Sequence, residues 1–111
     1  MKSVKSINDL KQGYEPAYKS KKFKTEKDFD VWLKKIARYK IVFKDVGQDC
    51  LEWFIDKRGE VIHSKFQASV WNGGMVDLFN LEIGKEIGVM EPFKMRTRFY
   101  DFIVEEIIKL K

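Results

Sequence analysis

Two different spacings of apolar residues alternate along this chain, and the changes between them divide it into elements. From residue 25 the spacing is helical: Phe29, Trp32, Leu33 and Ile36 fall on one face at a 3.6-residue period, with Ala37 and Tyr39 at its margins. Thr25 supplies an N-cap hydroxyl, with Asp28 three positions later in capping-box spacing. Glu26, Asp28 and Asp30 sit near the positive end of the helix dipole, and Lys34, Lys35 and Arg38 near the negative end. The pattern predicts a helix from Thr25 to about Tyr39, its apolar face turned toward a sheet.

From Lys40 the apolar residues become β-branched and aromatic and the runs shorten: Ile41-Val42-Phe43, then Leu51 to Ile55, then Val61-Ile62. Asp56-Lys57-Arg58-Gly59 is a strong turn signal, because Asp suits the first position and Gly tolerates the left-handed backbone that closes a bulged hairpin. A hairpin of residues 50 to 56 against 60 to 66 follows. If Asp56 pairs with Glu60, Trp53 lies opposite His63 and Phe54 opposite Ile62. A second hairpin is suggested by Phe66 to Trp71, the Asn72-Gly73-Gly74 turn and Met75 to Leu81. Met75, Val76, Phe79 and Ile83 fit a short helix equally well.

The last segment returns to helical spacing. Pro92 suits the first turn of a helix, and Met95, Phe99, Phe102, Ile103, Ile107 and Leu110 then make a broad apolar face. The expected fold class is α+β: an antiparallel sheet of four to five strands, with helices at 25–39 and 92–110 packed on one of its faces. Residues 1–22, with Gly13, Pro16 and Lys19-Ser20-Lys21-Lys22, read as a flexible basic arm ahead of a single domain at 23–111.

Composition sharpens this outline. A chain of 111 residues with 44% hydrophobic content suits one core. The lone cysteine, Cys50, cannot form an internal bridge, and the opening residues lack the apolar stretch of a secretion signal, so a cytoplasmic setting is expected. No apolar run approaches the roughly 20 residues that span a bilayer, so no membrane partner is expected. The net charge of +5 is uneven: residues 1–47 carry 13 basic and 6 acidic groups, the remainder 9 and 11. That asymmetry favours steering toward an acidic partner.

The candidate anion-binding residues are Lys19, Lys21, Lys22 and Lys24 in and beside the arm, and Lys27, Lys34 and Arg38 along the first helix. Lys94, Arg96 and Arg98 at the start of the last segment form a second cluster. Phosphate backbones are natural ligands for such a surface, with Tyr14, Tyr18 and Phe23 available to stack on bases. The blander reading is a solvated basic face. Trp71 is a candidate anchor for a partner protein.

Catalytic chemistry has little to stand on. Glu106 falls inside the apolar face of the last segment, where burial alone would raise its pKa. Cys50 and His63 resemble a nucleophile and base, but the favoured register puts them on opposite faces. One His and one Cys do not complete a metal shell, and no cofactor motif is present. The leading expectation is a small binding protein engaging nucleic acid or an acidic protein. The alternative is a protein–protein interaction or regulatory module using an exposed aromatic sheet face, with a homodimer through that face also possible.

Overall fold

The computed structural model describes residues 2–11, 24–44, 52–64, 75–91 and 96–111. Its elements run β1 (Lys2–Val4), α1 (Glu26–Ile36), β2 (Tyr39–Phe43), β3 (Glu52–Ile55), β4 (Val61–Ser64), β5 (Met75–Val76), β6 (Glu86–Glu91) and β7 (Arg96–Lys109). The seven strands form one antiparallel sheet in the order β4-β3-β2-β7-β6-β5, with β1 added alongside β7. Among the described residues the protein is therefore mostly antiparallel sheet with one short helix. The α+β expectation of a four- to five-stranded antiparallel sheet with an N-terminal and a C-terminal helix packed on one face is overturned.

The largest correction concerns residues 96–109, which form the longest described strand rather than a helix. Two irregularities explain the helix-like spacing. Between Val42 and Phe43 the β2 to β7 register slips by one, because Val42 faces Glu106 whereas Phe43 faces Val104. Glu105 is the extra residue, so the inward positions Val104 and Ile107 stand three apart instead of two. A second slip occurs on the other edge, where Glu86 pairs with Ile103 but Gly88 with Phe99. The bulges bend β7, letting its first half pair with β6 and its last residues with β1.

The bending brings the two outer strands toward each other. Glu60, just before β4, bridges Met75 of β5, and the Val76 N–H donates to the Gly59 carbonyl at 2.8 Å. The sheet is thus a curled half-barrel whose edges meet at one corner, which leaves few unpaired backbone groups there. Inside the curl lies the main core, including Tyr39, Ile41, Phe43, Trp53, Ile55, Val89, Val104 and Ile107. Phe43, Trp53 and Phe102 pack mainly edge to face, with Phe43 and Trp53 centroids 5.0 Å apart.

α1 starts as its sequence dictates. Thr25 Oγ1 accepts the Asp28 N–H at 3.1 Å, and Glu26 and Asp28 occupy the first turn. It ends at Ile36, three residues before the expected limit. Ala37 is already extended and its N–H closes the last turn onto the Leu33 carbonyl. The Arg38 N–H then donates to the Ile55 carbonyl, and the Leu110 N–H to the Arg38 carbonyl, so sheet pairing captures the chain there. Tyr39 is consequently a core residue of β2. Phe29, Trp32, Leu33, Ile36 and Ala37 cover the outside of the curl, against Phe54, Ile62 and Leu110.

The Asp56 to Gly59 turn forms with Gly59 at φ 86°. Asp56 Oδ1 accepts the N–H groups of Arg58 (2.9 Å) and Glu60 (3.0 Å), and the Asp56 N–H reaches the Glu60 carbonyl (3.1 Å). The expected pairing beyond it requires correction: Phe54 faces His63 and Trp53 faces Ser64, because Ile62 is an extra residue in a bulge. That bulge lets Val61 enter the inner core while Ile62 packs under the helix. Residues 66–71 of the second expected hairpin lie outside the described residues. Met75–Val76 pair with Met90 and Val89 of β6, and turns at residues 78–79 and 83–84 separate β5 from β6.

Candidate anion-binding surface

The end of α1 gathers cations that come from two separate parts of the chain. Lys35 lies in the last helical turn, Arg38 in the extended step into β2, and Lys57 in the tight turn after β3. The hydrogen bond from the Arg38 N–H to the Ile55 carbonyl fixes the helix end beside the turn that carries Lys57. The result is a cleft of about 270 Å³ lined by Lys35, Ile36, Arg38, Asp56 and Lys57. Asp56 is its only carboxylate among the described residues, and that group is largely buried, with one oxygen accepting two backbone N–H groups of its own turn. Among the described residues no ion pair involves Lys35, Arg38 or Lys57.

A second, larger cleft of about 470 Å³ opens on the other side of the same helix end. It is lined by Asp30, Leu33, Lys34, Ala37, Phe54, His63, Leu110 and Lys111. Its floor is apolar and aromatic, and its rim carries Lys34 and Lys111 against Asp30. His63 sits between two rings, edge-on to Phe29 at 4.9 Å and near-parallel to Phe54 at 5.9 Å. The Lys111 ammonium donates to the Lys35 carbonyl, tying the chain's last residue to the helix end. Cations at a helix C-terminus also complement its dipole, so part of this clustering serves the helix itself.

The residues anticipated from the sequence are distributed unevenly. Lys24, Lys27, Lys34 and Arg38 are all exposed. Lys34 lines the larger cleft and Arg38 the smaller, the chain having left the helix before Arg38. Lys24 and Lys27 flank the opposite, N-terminal end of α1 among the exposed Glu26 and Asp28. Arg96 and Arg98 lie on β7, opposite Glu91 and Val89 of β6, rather than at a helix start. Lys19, Lys21, Lys22, Lys94, Trp71 and Cys50 lie outside the described residues.

Lys35, Lys57 and Lys111 were not anticipated as ligands. Lys35 reads in sequence as a dipole-compensating residue and Lys57 as turn filler; no local signal marks their convergence, which depends on where α1 stops. Glu106 is half-buried on β7 and accepts the Ser3 hydroxyl at 2.7 Å, a structural role that pins β1 to its neighbour. Among the described residues no cluster of three potential metal ligands occurs, and no helix is long and apolar enough to cross a membrane.

A different surface lies at the far end of the sheet. Phe79 is 79% exposed, Phe99 56% and Ile83 47%. The turn carrying Phe79 is held by Asp77, whose carboxylate accepts the Phe79 N–H and the Asn80 side-chain amide. Phe99 lines a shallow hollow with Asn80, Glu82, Lys85 and Glu86. Phe79 is carried by that turn and Phe99 by β7.

No family model, curated protein or solved structure matches this chain.

Proposed function

We propose that this chain is a small binding protein that engages a polyanionic partner, most concretely nucleic acid, through the basic surface around the end of α1. One observation carries the reading. Lys35 and Arg38 at the helix end and Lys57 from the turn after β3 border a single cleft in which Asp56, the one carboxylate among the described lining residues, is engaged by its own turn. Lys34 and Lys111 extend the positive surface on the other side of the helix end. Guanidinium and ammonium groups are natural ligands of phosphate, with Arg38 able to make a forked contact. The excess of basic residues in the first 47 positions favours steering toward an anionic partner.

The test is a salt titration of binding to a fluorescein-labelled oligonucleotide. Phosphate-driven binding weakens steeply as salt rises, with a log–log slope near the number of phosphates neutralised. Absence of a complex at low salt rejects the proposal. A complex whose affinity is insensitive to salt rejects it also, and favours the alternative in which Phe79 and Phe99 form an apolar contact with a partner protein.

A further inference from the structure

We infer that the larger cleft beside α1 receives an unpaired base of the bound nucleic acid, making the protein selective for single strands. The inference rests on the polyanion-binding reading and specifies what the second cleft adds to it. Phosphate recognition needs only Lys35, Arg38 and Lys57. It leaves unexplained a neighbouring hollow of about 470 Å³, within the range of small-ligand sites, whose floor is Leu33, Ala37, Phe54 and Leu110.

The chemistry of that hollow suits a flat, partly polar ring attached to a negative charge. Phe54 and His63, near-parallel with centroids 5.9 Å apart, both border it and offer aromatic surface. Lys34 and Lys111 stand on its rim, where the phosphate of an inserted nucleotide would pass. Asp30, on the same rim, offers an acceptor to a base N–H. Lys34 and Lys35 are adjacent in the chain and serve different clefts, so a base in one and the next phosphate in the other are neighbouring demands on one strand. In a duplex the bases are stacked and paired, and the cleft stays unused.

The experiment compares three probes at one low salt concentration with the full-length protein: a single-stranded oligothymidylate, an abasic oligomer of equal length retaining every phosphate, and a duplex of equal length. The single strand should bind tighter than the abasic oligomer by about tenfold, the scale expected for one stacked base. It should also bind more tightly than the duplex. In His63→Ala, checked for folding by circular dichroism, the advantage over the abasic oligomer should shrink toward unity.

Equal affinity for the intact and abasic strands overturns base insertion while leaving the cationic surface standing. Absence of binding to all three probes overturns both proposals. A duplex bound as tightly as the single strand refutes the selectivity.

Discussion

The Tyr39 hydroxyl donates to the carboxylate of Asp9, thirty residues earlier in the chain. Tyr39 opens β2 and its ring lies in the main core, whereas Asp9 belongs to the opening segment that follows β1. Lys109, at the end of β7, reaches the other oxygen of Asp9 at 2.9 Å. The contact therefore ties three parts of the chain together at one end of the curl, with Ile7 and Leu10 packed against the core on either side of Asp9.

Burial of Tyr39, and then its hydrogen bond to Asp9, push the phenol pKa up to about 12 from 10.0. The same hydrogen bond, followed by that from Lys109, holds the Asp9 carboxyl below its ordinary 3.8. For Tyr39 the folded state keeps its proton while the unfolded chain loses it, so stability falls as pH rises from about 10 toward 12. For Asp9 the sign is opposite: its contribution is present above 3.8 and is lost as pH falls below that value. Absorbance titration of the tyrosinate band should show a late-titrating tyrosine that moves to lower pH in Asp9→Asn. Tyr39→Phe should cost about 1 kcal/mol in urea unfolding at neutral pH.

Two glycines separate steric from backbone constraint. A Cβ at Gly88 would lie 3.0 Å from Thr97 Cγ2, 3.2 Å from Phe99 Cε1 and 3.3 Å from Asp77 Cβ. Gly88→Ala should therefore destabilise by about 1–3 kcal/mol through overpacking where β6 pairs with β7. Gly84 has nothing within 4 Å of such an atom but sits at φ 90°. Gly84→Ala should lose about 1–2 kcal/mol through conformation alone. Gly84→Asn, which tolerates left-handed backbone better, should recover part of that loss, whereas Gly88→Asn should be worse than Gly88→Ala. Denaturant midpoints distinguish the two patterns.

Removal of the Thr25 cap should destabilise by about 1 kcal/mol in Thr25→Ala, with Thr25→Ser close to wild type. Because α1 is the only helix among the described residues, its loss of order would be visible at 222 nm before the sheet signal changes. An equal effect of both substitutions would mean that packing, not the cap, holds the start of the helix.

Charge removal should distinguish the helix end from the rest of the basic surface. Lys35→Ala, Arg38→Ala and Lys57→Ala should each weaken oligonucleotide binding and reduce the salt slope by about 1. Lys24→Ala and Lys27→Ala, at the opposite end of α1, should have smaller effects. Equal losses at all five positions would point to a diffuse field rather than a built site. A complete loss only in Arg38→Ala would point to a dominant forked phosphate contact.

The positions of local contacts were legible from residue order alone. Thr25 caps a helix because its hydroxyl lies within reach of the Asp28 N–H, three residues away. Asp56 and Gly59 make a turn because one binds its own backbone and the other tolerates positive φ. The strand-forming character of Ile41 to Phe43 and Glu52 to Ile55 is equally local. Patterning also marked Phe29, Trp32, Leu33 and Ile36 as a packed helix face.

What residue order left undecided was every feature that depends on a distant partner. Extra residues at Glu105 and Ile62 shift the alternation of β7 and β4, and a strand with a bulge can imitate helical spacing. Only pairing with β2, β6 and β1 shows that residues 96–109 are extended. α1 ends at Ile36 because Arg38 finds β3 and Leu110, an event between elements far apart in sequence. That early ending separates Arg38 from Lys34 and places it beside Lys57, so the candidate site is a product of tertiary pairing. Charge composition marked the first 47 residues as basic; the fold alone determined which of those cations, and which later ones, share a cleft.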